Sequence, residues 1–250
     1  MISSRDSAVA DSKILKEYFK LYITDVKGRK LSTAKHYLDA LKKISNILHD
    51  KRMLDLDKDI YEVDSVEQLD RLWNVVSNDP EFIQLNERGD HMYSAGFNHY
   101  RDFASGQEFQ QLHDKLTVID KPMSVAESNT REYHTWKRSG ILRGQAIEYA
   151  GYCCEIDENH KTFLAASNNK PYMEAHHIIP LHLQEHFQYS LDVYANIICL
   201  CPLYHRQIHY GVYKERREML DAIFEQRKER LNNSGILMDK GEFMQMILSE

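Results

Sequence analysis

Four histidines and one asparagine stand in an order that could do chemistry: His176-His177, Asn196, His205 and His209. The last two are four residues apart in a segment predicted to be helical. It opens at Pro202, a residue favoured at a first helical position, and stops at Gly211. At that spacing both imidazoles leave one helix face about one turn apart and can share a metal ion. His176 falls on a strand-like run, Tyr172 to Ile179, and a second such run, Asn196 to Leu200, follows it. A strand, loop, strand and helix of this length can fold as a hairpin with the helix packed across it, which would bring in His176 as a third nitrogen ligand. His177 needs a different role, because neighbours on a strand point to opposite faces. Ile178-Ile179-Pro180 ends the strand and lets His177 stand beside the ion rather than on it. A neutral imidazole with a reference pKa of about 6.5 suits a general base there. Asn196 would bond across the intervening loop and hold that base in position. The reaction these parts fit is phosphodiester hydrolysis, in which a metal stabilises charge on the phosphate and leaving oxygen while His177 deprotonates an in-line water.

A scaffold has to position these residues. The chain has 250 residues, 42% of them hydrophobic and 28% charged, enough for one large or two ordinary globular domains. No stretch approaches the roughly 18 to 20 apolar residues of a spanning helix, and Met1 to Ser12 lacks the pattern of a secretory leader, so no membrane partner and a cytoplasmic location are expected. Leu15, Tyr18, Phe19 and Tyr22, and then Tyr37, Leu41, Ile44 and Leu48, recur at helical spacing on either side of Gly28. Ser32 or Thr33 is the expected cap of the second helix. Ser65 with Gln68 forms a capping box for a third through Val75, Asp79-Pro80 marks a break, and Met92 to Phe103 is helical up to Ala104-Ser105-Gly106. Residues 105 to 130 are mixed and polar and form the expected linker. Thr130 to Ala150 and Lys214 to Leu231 are predicted helices, the latter closing the fold. The expected architecture is α+β, mostly α: a helical domain over 1–124, for DNA recognition or partner binding, and a nuclease domain over 125–250.

Residues 172–211, with YMEAHHIIPL, LDVYANIICLCP and YHRQIHYG, resemble the HNH nuclease family of the ββα-metal fold. CEIDENHKTF and the helix after the motif are similar to bacterial restriction-type HNH endonucleases, the McrA-like group among them. The likeness covers about residues 125 to 235, and the first hundred residues faintly resemble the helical DNA-clasping domains of tyrosine recombinases. The resemblance implies that His176 and His205 are metal ligands, that His177 is the general base and Asn196 the central Asn. It also implies that His209 matches the second helix His, a third ligand in the nuclease-toxin branch. The implied partner is double-stranded DNA cut in restriction or phage defence, with a homodimer as one way to cut both strands. A non-cleaving DNA-binding module derived from such a nuclease, and a nuclease toxin, are the alternatives. The cofactor is a divalent ion, Mg²⁺, Mn²⁺, Ni²⁺ or Zn²⁺; three imidazoles favour a transition ion, although many relatives use Mg²⁺.

Many members of the family hold a structural zinc with two CxxC pairs. The matching positions here are Cys154-Glu-Ile-Asp157 and Cys201-Pro-Leu-Tyr204, one thiol short in each. A structural zinc is therefore not expected, and Cys154 and Cys201 are read as small buried neighbours. The alternative is a zinc completed by Cys153, Cys199, Asp157 or His160. Glu174 is placed to face the same side as His176 and to support it or the hairpin, and Arg206 to contact phosphate or solvent. His182 and His186 are read as a solvated loop, and His36, His49, His91, His99, His113 and His134 as core or surface residues. The net charge of -6 argues against nucleic acid only as a total. Residues 15 to 54 hold ten Lys or Arg against four Asp or Glu, and residues 55 to 110 hold four against thirteen. The acid is thus segregated from the basic first helical pair, which could line a DNA path.

Overall fold

The computed structural model describes residues 14–55, 59–112, 116–125 and 139–248. The N-terminal half is helical. Helix α1 (Ile14–Leu21) runs into a wider turn, Tyr22–Val26, and ends at Gly28, whose φ of 63° lies in the left-handed region that favours glycine. Helix α2 (Leu31–Asp50) starts earlier than the expected cap: Lys30 holds the capping position without a side-chain bond. Helix α3 (Val66–Ser77) opens as expected, with the Ser65 side chain accepting from the Gln68 N–H. Asp79-Pro80 begins an element instead of breaking one. Asp79 accepts from Phe82 N–H and Pro80 occupies the first turn of α4 (Pro80–Arg88), where its missing N–H removes no helical bond. Helix α5 (Met92–Ser105) stops at Gly106, φ 66°. It packs along α2 so closely that a Cβ on Gly96 would sit 3.0 Å from the Ala40 methyl.

The C-terminal half comprises α6 (Gly140–Tyr149), the two-stranded antiparallel sheet of β1 (Glu174–His177) and β2 (Ile197–Leu200), α7 (Pro202–Tyr210), α8 (Tyr213–Asn233) and α9 (Lys240–Leu248). The expected helix over 130–150 begins at Gly140 within the described residues, and 130–138 lie outside them. Helix α8 does not close the fold: α9 follows, burying Phe243 against Phe224 with ring centroids 5.0 Å apart. The molecule is mostly α, with a small sheet in its C-terminal half.

One hydrophobic core runs through both halves. Tyr18 of α1 packs on Tyr194, just before β2, with ring centroids 4.5 Å apart. The Tyr194 hydroxyl donates to Gln145 of α6 at 2.6 Å, and the Gln145 amide donates to the Phe103 carbonyl of α5. The described part of the expected linker belongs to this core. Phe109, Leu116, Ile119 and Met123 are all buried, and Asp120 bonds Arg230 of α8 at 2.5 Å. The four apolar side chains stand 7, 3 and 4 residues apart, a spacing that would suit a helix face, but Pro122 and the polar residues around them hide it, and the described chain there forms only a short 3-10 turn, Thr117–Ile119. The seam between the halves is tight at Gly140, where a Cβ would overlap the Asp64 carbonyl oxygen. Gly140→Ala is therefore expected to destabilise the protein by about 1 to 3 kcal/mol through overpacking; a thermal melt unchanged from wild type would show that the seam opens at no cost.

Candidate active site and metal centre

The sheet and α7 present the site. Residues along β1 alternate, so Glu174 and His176 share the more open face while Ala175 and His177 are buried. The register pairs His176 with Ile198 and His177 with Ile197. All four residues of β2 are buried, which accounts for its unbroken apolar run IICL between the sheet and the helices. Cys201 immediately caps α7, its Sγ accepting from Tyr204 N–H at 3.4 Å, and Pro202 starts the first turn. The helix therefore leaves the strand without slack and carries His205 and His209 across β1.

There the three imidazoles converge. The His176 and His205 ring centroids are 4.9 Å apart, His176 and His209 5.0 Å, and His205 and His209 5.1 Å. Their candidate ligand nitrogens all lie within 4.8 Å of one another, and among the described residues this is the group of His, Cys, Asp and Glu so placed. The donor set fits a divalent ion, and a second feature supports the fit. Glu174 Oε2 accepts from His205 Nδ1, which leaves Nε2 of that ring for an ion. Tyr172 donates its hydroxyl to the other Glu174 oxygen at 3.1 Å. Burial raises the Glu174 carboxyl, but the bonds from His205 and Tyr172 outweigh it and hold the group below the usual carboxylate range. Glu174→Gln is expected to weaken Ni²⁺ or Zn²⁺ binding roughly 10- to 100-fold, measured by calorimetry; unchanged affinity would reduce Glu174 to a hairpin support. The triad opens into a cleft of about 360 Å³ whose lining includes Arg143, Tyr172, Glu174, Arg206 and Tyr210.

His177 and Asn196 lie on the other side of β1, where the sequence could not supply their partners. His177 is 8% exposed, and its Nε2 bonds Asp192 Oδ1 at 2.8 Å. Asp192 is itself held: its other oxygen accepts from Ser139 N–H at 3.0 Å and its N–H donates to Ser190 Oγ at 3.1 Å. Asp192 is the functional candidate that sequence reasoning missed. The available signal was an acid between Leu191 and Val193 in an otherwise apolar run, since an acid in such a place needs a buried partner. Asn196, fully buried, closes the loop between the strands. Its Oδ1 accepts from Ile179 N–H at 2.8 Å, and its Nδ2 donates to the Ile179 carbonyl at 2.9 Å and the Leu191 carbonyl at 2.8 Å. It thus clamps the residue two beyond His177 to the residue before Asp192.

The cysteines meet behind the site. Cys154 and Cys201 are buried neighbours sharing a hydrogen bond, and Cys201 Sγ lies 2.9 Å from His160 Nδ1. Burial pushes the Cys201 thiol above its ordinary pKa. Cys199 is buried in β2 and Cys153 is exposed. His182 and His186 are exposed as expected, though on a short 3-10 helix, Leu181–His186, and not in an irregular loop. His99 packs against Tyr37 with centroids 4.9 Å apart and the ring planes tilted by 32°, and His113 and His134 lie outside the described residues. No helix among the described residues is long and apolar enough to cross a membrane.

The comparisons with known proteins agree with this geometry. Residues 154–212 match the family model of an HNH endonuclease, a segment that contains β1, β2, α7 and all five motif residues. The chain is also similar to the type IV methyl-directed restriction enzyme EcoKMcrA of Escherichia coli (strain K12), at 32% identity over 113 residues. That alignment takes in 43% of this chain and 38% of the relative, so the chain spans well under half of that enzyme's length. No solved structure matches significantly. The hairpin and helix that bring the three imidazoles together thus lie inside the segment, residues 154–212, that is similar to an HNH endonuclease domain.

Proposed function

We propose that the protein is a metal-dependent endonuclease that hydrolyses phosphodiester bonds of double-stranded DNA in restriction of foreign DNA. The convergence of His176, His205 and His209 on one face of β1 carries this reading. These three side chains would hold the divalent ion, with Glu174 fixing the His205 ring. When bound, the ion supplies charge stabilisation to the phosphate and the leaving oxygen. His177 is the general base. With Nε2 committed to Asp192, its Nδ1 is the nitrogen that takes the proton from the attacking water. Asn196 keeps that pair in register by tying together the two backbone segments that carry it. Arg143 and Arg206, exposed at the cleft, serve as phosphate contacts. The exposed Arg29, Lys30, Lys35, Lys42 and Lys43 before and along α2 give the helical half, residues 1–124, a basic surface for the DNA backbone. Cutting both strands requires two active sites or two encounters, and a homodimer would supply the first.

The test is nicking of supercoiled plasmid, methylated and unmethylated, by the purified protein with Mg²⁺, Mn²⁺, Ni²⁺ or Zn²⁺ and with chelator. Metal-dependent conversion to nicked and linear forms, abolished by chelator, is expected. Binding to DNA with no cutting under any of these ions would instead support a non-cleaving recognition module and sink the enzyme reading.

A further inference from the structure

One wall of the cleft is not required by hydrolysis. From Phe163 to Tyr172 the chain makes a tight hairpin. Leu164 bridges Pro171, Tyr172 N–H donates to the Phe163 carbonyl at 2.8 Å, and Ala165 N–H donates to the Lys170 carbonyl at 2.8 Å. Both arms are anchored. Lys170 Nζ bonds Glu148 of α6 at 3.2 Å and lies 4.2 Å from the centre of the Tyr152 ring, while Tyr172 donates to Glu174 beside the metal centre. A segment held this firmly could turn its large apolar side chains inward, yet Phe163 is 64% exposed and Leu164 57%. The Phe163 ring lies flat on Tyr172, centroids 4.8 Å apart and planes 14° from parallel. Tyr172 lines the cleft together with His205 and His209, so the stacked pair extends the cleft wall outward as an apolar blade.

We propose, building on the nuclease reading above, that the Phe163–Leu164 hairpin is a DNA wedge. It enters the bound duplex at a base step near the scissile phosphate and stacks the Phe163 ring on an exposed base face. Apolar side chains placed between base steps partly unstack them and bend the duplex. An aromatic ring contributes such stacking with any base, since every base has a flat π-face. DNA is the occupant because the blade is continuous with a cleft that also presents Arg143 and Arg206, and because Lys161 is exposed two residues before Phe163. The wedge would hold the duplex at a fixed depth relative to the imidazole triad, a positioning role separate from the chemistry.

The test compares wild type, Phe163→Ala and Phe163→Trp on short duplexes carrying 2-aminopurine at successive positions, in EDTA to keep them uncut, alongside plasmid nicking with metal. Phe163 is a surface side chain, so each variant is expected to melt like wild type. Wild type should raise 2-aminopurine fluorescence severalfold on binding. Phe163→Ala should lose that rise together with roughly 5- to 100-fold in affinity, and Phe163→Trp should retain both. Equal affinity and fluorescence for Phe163→Ala and wild type would overturn the wedge. So would sedimentation showing that Phe163→Ala dissolves a wild-type dimer while DNA binding is unchanged, because the side chain would then cover a second copy of the chain. A wild type that cuts plasmid without any fluorescence change overturns the wedge alone, whereas one that neither binds nor cuts DNA overturns the nuclease reading with it.

Discussion

Replacing His177 with alanine is expected to slow plasmid nicking by on the order of 10²- to 10⁴-fold, while Ni²⁺ or Mn²⁺ binding stays at the wild-type level. The split follows from the geometry of β1. His176 faces the triad, but His177 points to the buried side and spends one nitrogen on Asp192. Removing it takes away a proton acceptor without removing a ligand. The Asp192 carboxylate then keeps only its bond from Ser139 N–H, and an under-satisfied buried acceptor costs about 1 to 3 kcal/mol. The assay therefore belongs well below the melting temperature of the variant. Asp192→Asn sharpens the test. An amide in that place can donate to Nε2 as well as accept from it, so the ring can settle with its proton on Nδ1, the wrong tautomer for a base. In a Ser-His-Asp triad the same change costs about 10⁴ in rate. A His177→Ala protein that cuts at the wild-type rate, or one that loses metal and cutting together, would remove His177 from the role of base.

The second large effect is on stability. Asn196→Ala would strip three hydrogen bonds from a fully buried position and leave the Ile179 N–H, the Ile179 carbonyl and the Leu191 carbonyl without those partners. At about 1 to 3 kcal/mol for each orphaned buried group, and less than additively, the expected loss is about 3 to 5 kcal/mol. In a chain of this size that lowers Tm by roughly 10 °C. Asn196→Asp retains the acceptor for Ile179 N–H but removes both donors and buries a carboxylate against two carbonyls, so it should melt no higher than the alanine variant. The loop that Asn196 clamps runs from His177 to Asp192, and nicking is expected to fall even at temperatures where the variant is folded. A melting shift under 2 °C, or full activity in the folded variant, would mean that the sheet alone holds the loop.

Particular residues account for how much could be read from sequence. The spacing of His205 and His209, with Pro202 before them and Gly211 after, left only one regular element, and α7 is that element with the same bounds. Leu15, Tyr18, Phe19 and Tyr22 were equally clear, because helical periodicity marks the face that must be buried. The signals that failed were ambiguous in themselves. Asp79-Pro80 suits a helix start and a chain break alike, and α4 behind it exposes most of its surface, with Phe82 its one buried residue. Helix α9 is nine residues long and is held by packing against α8, so its local pattern is weak. Phe109, Leu116, Ile119 and Met123 are spaced like a helix face yet are buried from a largely irregular segment, against neighbours distant in sequence that local spacing does not identify.

The types and order of the chemical groups were thus determined by the sequence alone: which imidazoles could share an ion, which histidine had to stand apart, and where strand passed into helix. These are consequences of the two backbone periods, which act over a few residues. Only the tertiary structure decided what each group faces. It set Asp192 against His177, fifteen residues apart in sequence, Glu174 against His205, thirty-one apart, and the Phe163 ring beside the cleft through Tyr172. Hydrogen bonds between side chains depend on where packing brings distant segments together, and that is settled by the shared core of the two halves, not by local spacing.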